Sequence, residues 1–523
     1  MTAVSATTSW SIQRVADATL RVGRSAWTTR VIMAWLAIQS VFLALTTYFS
    51  IYDEHIHLIV VRYYAAGASP FGGQSPDLLH VGDISREAWL YHWSMGQVYR
   101  FFELIGFDGH GAWIGTRVVS ALLASAAIVF VYLAFRELGI GPGAANAGIF
   151  LMAFTPLLVY VNSILNWDGV GNALLALSVW LALRLYNADT FRPGLWLGGL
   201  IAVVATSLTK NVLMLFLAPL VVIALGRQLT FARRGALGEI RTWFTVVGRR
   251  RIAHWMLAAL ALLALVLFVE RYVVNILQFG SVRPACDVVQ PIAVCEHHGI
   301  WVRNRELRES FTTLPSGISS AVTYTQNVWL PQMARTSNMF GVYSRTWGAA
   351  QSLGPNIAAW ISSFVIPSAG VSVAFALLFV RIKRGVWMLL VAIAVAFGAQ
   401  LLFNYSMFLE MGVLTLGVQG RYALPFIPFL FGLFTYAVAK TLGRLGAVGR
   451  RALALLVALA LVGATQGGGA GSFIAVADHN WWGPQEGVAA NIISRVSNVV
   501  RTVTIRDDWI PNPHLTPAWP PGL

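Results

Sequence analysis

Eleven apolar stretches, most of them close to the length that crosses a bilayer as a helix, recur along this chain at short polar intervals. They lie at about 31–51, 112–135, 144–161, 170–186, 194–208, 212–225, 254–272, 357–380, 386–403, 422–439 and 452–474. In hydrocarbon a spanning segment must satisfy its own backbone hydrogen bonds, so the pattern implies an all-α polytopic membrane protein with about 11 transmembrane helices. Composition agrees, with 57% hydrophobic and only 11% charged residues.

The net charge of +15 sits in loops. Seven arginines (Arg227, Arg233, Arg234, Arg241, Arg249, Arg250, Arg251) separate two apolar runs, and Arg381 to Arg384 and the Lys440, Arg444, Arg450, Arg451 cluster occupy equivalent places. Arg14, Arg21, Arg24 and Arg30 precede the first run. That is the positive-inside pattern of cytoplasmic loops rather than a nucleic-acid surface. The first run is too long for a signal-peptide core and no small-residue cleavage site follows it, so it reads as an uncleaved span. Threading eleven spans from a cytoplasmic N-terminus puts every basic loop on the cytoplasmic side and the C-terminus outside, in a plasma (inner) membrane. The transmembrane domain then covers 1–474, with external loops at about 52–111, 275–356 and 404–421 and a short external tail at 475–523.

The first external loop opens with DEHIH, which packs Asp53, Glu54, His55 and His57 against the end of the first span. Ile56, Ile59, Val60, Tyr63 and Tyr64 recur there at helical spacing, predicting a short helix lying along the membrane surface. Trp89, Trp93, Phe101 and Ile105 mark a second one, with aromatics suited to the headgroup region. An ordinary role is open to Asp53, because Asp before a helix is a standard N-cap and Glu54 in the first turn favours the dipole. Against that stands the company on the same side. Asn162, Asn166 and Asp168 lie at the outer mouth of two spans, Lys210 at the next outer turn, and Arg421 at the start of a late span. The span interiors are almost free of ionisable residues, unlike those of ion-coupled transporters. Cys286 and Cys295, nine residues apart in the second external loop, either close a small disulfide loop or remain free thiols. No GxxxxGK[ST], HExxH or zinc spacing occurs.

An Asp-Glu pair just after the first span resembles the integral membrane glycosyltransferases of the GT-C superfamily, among them protein O-mannosyltransferases and the aminoarabinose transferases of lipid A. NSILNWDGVGNALLAL resembles the superfamily's Asn-Asp-Gly span start with Trp167 inserted, SLTKNVLMLFLAPLVV its "LTK…P" span, and RYALPFIPFLFGL its late Arg-Tyr span. Together they cover roughly 51–436, in order. The resemblance implies a GT-C-like fold with interfacial helices in the first external loop, and transfer of a sugar from a polyprenyl-phosphate donor to an acceptor hydroxyl. Asp53 matches the catalytic acid and would act as general base in an inverting displacement. Arg421, then Lys210, would bind the phosphate, with Arg345 a candidate on location. Glu54 would position acceptor, sugar or metal. His57 shares a helix face with Asp53 and would orient it or meet the phosphate. His55, Asn166 and Asp168 complete the candidate substrate-binding set. A divalent metal on Asp53, Glu54 and His57 is an open alternative. The acceptor would be a glycan, a lipid or a protein, with membrane lipids around the spans and no nucleic acid. Rival readings are a lipid-linked glycan flippase or polymerase, or a non-catalytic accessory subunit of this fold.

Overall fold

The computed structural model describes residues 17–47, 53–232, 236–245, 249–336, 384–412 and 418–465 apart from isolated positions, with short pieces at 469–474 and 492–499. Among these residues the structure is all helical. The first span, α1 (Ala26–Thr46), starts where the Ser25 side chain accepts the Thr28 N–H at 3.1 Å. Two shorter helices follow, α2 (Glu54–Ala65) and α3 (Leu90–Leu104), and they are the two predicted in the first loop. They cross at Gly96, where a Cβ would stand 3.0 Å from the Val61 carbonyl oxygen. Of the face expected to carry Trp89, Trp93, Phe101 and Ile105, the last three point away from the protein but Trp89 is buried, and Tyr91, His92, Met95 and Tyr99 face inward.

The bundle continues with α4 (Gly109–Ser125) and α5 (Ala127–Glu137), which together make one long apolar segment. Next come α6 (Pro142–Phe154) and α7 (Pro156–Ser163), which meet at a 65° bend. Pro156 at the first position of α7 lacks the N–H that would continue α6. The central helix is α8 (Trp167–Asn187), packed against α4, α5, α9 (Pro193–Thr209) and α10 (Met214–Ala232). Polar contacts between spans are made by amides and hydroxyls: Thr29 to Asn146 at 2.7 Å, Gln39 to the Ala153 carbonyl at 3.2 Å, and Ser178 with Thr206 at 3.1 Å.

Beyond α11 (Ala236–Thr245), α12 (Arg249–Phe268) heads an apolar segment, Ile252–Phe279, whose most apolar part is largely exposed. Exposed Trp255, Met256, Leu260, Leu262 and Val266 need a lipid solvent, since water would not tolerate such a face. The longer of the remaining described helices are α13 (Gly299–Ser310), α14 (Arg384–Met411), α15 (Ile427–Gly443) and α16 (Gly446–Thr465).

Six described helices are long and apolar enough to cross a membrane, or seven with the bent pair as one span, which makes this an integral multi-pass membrane protein. The count of eleven is not reached among the described residues. Pro193–Thr209 and Ile427–Gly443 are apolar but have 17 residues each, and the stretch 357–380 lies outside the described residues, as does most of the tail.

Candidate active site

Asp53 sits between α1 and α2 with φ 60° and ψ 17°, the sole residue other than glycine at positive φ among the described residues. Asp tolerates this left-handed region better than most side chains, at a cost of about 1–2 kcal/mol. The expected side-chain N-cap is not formed: the Asp53 carbonyl accepts the His57 N–H at 3.0 Å, and the carboxylate turns elsewhere. It meets Arg421, whose Nη2 lies 3.2 Å from Asp53 Oδ2. The carboxylate is 46% exposed and the guanidinium 9%. Such an outlier, held by the fold at a solvent-reachable acid, is the kind of strain that marks functional positions.

Arg421 belongs to the short turn Gly420–Ala423 that leads into α15, and it stacks on its neighbour Tyr422 with the guanidinium 5.3 Å from the ring centre. Lys210, at the C-terminal end of α9, reaches the same ring from the other chain segment, its ammonium 5.0 Å from the centre. Lys210 also pairs with buried Asp168 in the first turn of α8. Asn166 caps that helix, accepting the Asp168 N–H at 2.8 Å. One turn inward from Asp168, Asn172 and Asn162 line a small cavity with Leu424 and Pro425, and the buried Asn162 Nδ2 donates to no partner among the described residues. Asp53, Asp168, Lys210, Arg421 and Asn166 therefore converge at one end of the bundle, as their common side in the sequence anticipates.

Glu54 points away from this group. It is fully buried against Arg117 of α4, with Oε1 3.1 Å from Arg117 Nε, and it accepts the Leu165 N–H at 2.8 Å. The same guanidinium donates to the Thr47 carbonyl at 2.7 Å, the Thr47 hydroxyl at 2.8 Å and the Ser163 carbonyl at 3.2 Å. Glu54 and Arg117 thus bolt the start of α2 to the middle of α4 and to the ends of α1 and α7. His57 is also buried, and hydrogen-bonds to His92 at 2.7 Å rather than to Asp53. Both rings contact Trp167. Burial holds His57 well below the usual imidazole range, helped by the charges of His92, Arg421, Lys210 and His55, and burial alone pushes His92 down to about 3. His55 is exposed. Arg345 lies outside the described residues.

The residues do not fit a metal on Asp53, Glu54 and His57. Glu54 and His57 are turned to other partners, and no group of three such side chains converges among the described residues. The disulfide alternative is the one realised: Cys286 and Cys295 are bonded, with Cα atoms 5.8 Å apart.

No family model matches the chain, and no curated protein matches it. Solved structures do. The oligosaccharyltransferase of Archaeoglobus fulgidus tethered with an acceptor peptide is 14% identical, with a TM-score of 0.44, over 83% of this chain and 54% of its own. The same enzyme in complex with an inhibitory peptide and a dolichol-phosphate gives 0.40 at 14% identity over the same shares, 83% and 54%. ArnT from Cupriavidus metallidurans bound to undecaprenyl phosphate is 15% identical, with a TM-score of 0.45, over 92% of this chain and 75% of its own. The chain spans about half the length of the archaeal enzyme. Each is a distant structural likeness, at 14–15% identity.

Three residues of the candidate site were not anticipated by the sequence. Arg117 reads as part of an apolar span, and Tyr422 as an aromatic beside Arg421. His92 reads as one more residue of an aromatic helix. Each gains its role from a partner remote in the chain. A charged residue inside the otherwise uncharged fourth helix was the one signal that could have singled out Arg117.

Proposed function

We propose that this chain is an integral membrane glycosyltransferase that moves a sugar from a polyprenyl-phosphate donor to an acceptor hydroxyl at the external face of a plasma (inner) membrane. The eleven-span threading and a glycan, lipid or protein acceptor belong to the same reading. The observation that carries it is the half-exposed Asp53 carboxylate set beside Arg421, with Lys210 across the Tyr422 ring, at one end of a lipid-facing bundle. A base and two oxyanion-binding cations are the parts that a displacement at a glycosyl phosphate requires.

In this mechanism the acceptor oxygen attacks the anomeric carbon while the bond from that carbon to the phosphate oxygen breaks. The acceptor proton passes to Asp53, and the electron pair leaves with the polyprenyl phosphate. Attack from the side opposite the phosphate inverts the anomeric centre. Arg421 can present two parallel donors to the phosphate oxygens, and Lys210 adds a compact charge. Both cations lie within cation–π distance of the Tyr422 ring. Glu54 acts through Arg117 as a positioning residue for the turn that carries Asp53, and no step runs through a metal. A flippase would want a charged path through the spans, whereas away from the Glu54–Arg117 and Asp168–Lys210 pairs the inter-span contacts named above are amide and hydroxyl pairs.

The test is ligand binding to the purified protein in lipid nanodiscs. Wild type should bind polyprenyl phosphate at least tenfold more tightly than the matching polyprenyl alcohol, and Arg421→Ala should erase most of that difference. Equal affinity for phosphate and alcohol would overturn the proposal.

A further inference from the structure

The contacts around the candidate site close into a circuit. Asp53 meets Arg421 at 3.2 Å, Arg421 and Lys210 both stand by the Tyr422 ring, and Lys210 pairs with Asp168. Asp168 follows Trp167 in the chain, and the Trp167 ring lies 5.2 Å from that of His57, centre to centre. The His57 N–H returns to the Asp53 carbonyl at 3.0 Å. Trp167 therefore stands between the helix that Asp53 begins and the helix whose Asp168 holds Lys210.

Two buried rings fix the indole. His57 and His92 are joined at 2.7 Å with their planes 17° apart, and the Trp167 ring meets them at 63° and 58°, its centre 5.3 Å from that of His92. The rest of the indole stays partly open, whereas Asn166 and Asp168 on either side of it are 1% and 4% exposed. Two polar neighbours are thus buried while the large apolar ring between them is not, the reverse of the ordinary sorting by polarity. Of the other rings in the circuit, His57 is buried and Tyr422 already carries both cations, so Trp167 is the aromatic surface left for a ligand.

We infer that Trp167 is a substrate-binding residue of this site, the platform on which the ring of the transferred sugar lies. The inference rests on the reading that the site takes a sugar carried on a lipid phosphate. One face of a sugar ring is made largely of C–H groups, whose slight positive charge suits the negative face of an aromatic ring. A phosphate bound by Arg421 and Lys210 brings its sugar directly beside them, and Asp53 has to reach the oxygen that attacks the anomeric carbon. The sugar then occupies the space between carboxylate and cations. Trp167 is joined to both sides of that space, through His57 to Asp53 and through the chain to Asp168. The ligand selected this way is a glycosylated lipid phosphate over the bare one.

Bare polyprenyl phosphate and polyprenyl phosphates carrying glucose, galactose, mannose, N-acetylglucosamine or xylose, titrated into the protein in nanodiscs, separate stacking from packing. In wild type at least one glycosylated lipid should bind about fivefold more tightly than the bare lipid, the usual worth of a stacked ring. Trp167→Leu keeps apolar bulk and removes the aromatic face. It should erase that increment and leave bare-lipid affinity within about twofold of wild type. Trp167→Phe, with a smaller face, should lose about twofold of the increment and keep the rest, and it decides the matter if the leucine protein does not fold. No increment in wild type, an increment that survives the deciding variant whole, or equal weakening of bare and glycosylated lipids would overturn the inference. If wild type binds no polyprenyl phosphate at all, the lipid-phosphate reading falls and this inference with it. Arg421-dependent binding of the bare lipid, with a sugar increment indifferent to Trp167, would overturn this inference alone.

Discussion

Replacing Glu54 by Gln should destabilise the protein and leave its chemistry largely intact, although Glu54 stands next to the proposed base. Both partners of the Glu54–Arg117 pair are fully buried, and the guanidinium keeps its bonds to Thr47 and Ser163 after the substitution. Removing one partner of a buried pair costs about 3–5 kcal/mol, because the other charge stays in a poor solvent. Gln still offers an oxygen to the Leu165 N–H, so the lower end, about 3 kcal/mol, applies. Ala also orphans that N–H, adding about 1–3 kcal/mol. At about 2.1 cal/mol/K per residue, a chain of 523 residues has an unfolding entropy near 1.1 kcal/mol/K. The melting temperature should therefore fall by about 3 °C for Glu54→Gln and about 5 °C for Glu54→Ala. The assay pairs thermal unfolding in mild detergent with turnover measured well below the transition. A Glu54→Gln protein that melts with wild type yet loses turnover a hundredfold or more would refute this, and would mean that Glu54 touches the reacting groups.

Other outcomes follow from the same geometry. Unfolded, His57 and His92 take up protons near pH 6.5; folded, they resist, down to about pH 3 for His92. The unfolded state then binds more protons as the pH falls through that window, so stability should drop by up to about 1.4 kcal/mol per pH unit for each histidine. Melting curves from pH 7.5 to 5 should show it, and the His57→Phe/His92→Phe double variant should flatten it. Asp168→Asn strands the buried Lys210 ammonium and should cost about 3–5 kcal/mol, read as a lowered melting temperature that Lys210→Met largely restores in the double variant. Reducing Cys286–Cys295 should speed proteolysis within 281–298 while leaving the span bundle folded, as limited digestion with mass spectrometry would show.

The helical membrane architecture was legible because apolar length at a bilayer's scale admits few other folds. The grouping of Asp53, Asp168, Lys210 and Arg421 was legible too, since each ends or begins an apolar run on the same side. Pairings were harder to read. Adjacent residues on a surface helix look alike in sequence, yet Asp53 turns out to Arg421 and Glu54 turns in to Arg117. His57 loses its expected role because α2 and α3 cross at Gly96, which lets His92 reach it.

The account turns on Asp53 as base. Asp53→Asn keeps shape and removes basicity, so polyprenyl-phosphate affinity should stay within about threefold of wild type while sugar transfer falls about 10²–10⁴-fold, the usual worth of a positioned base. Measuring donor affinity and single-turnover transfer on the same preparation decides it. Transfer by Asp53→Asn at the wild-type rate, with donor binding intact, would contradict the account.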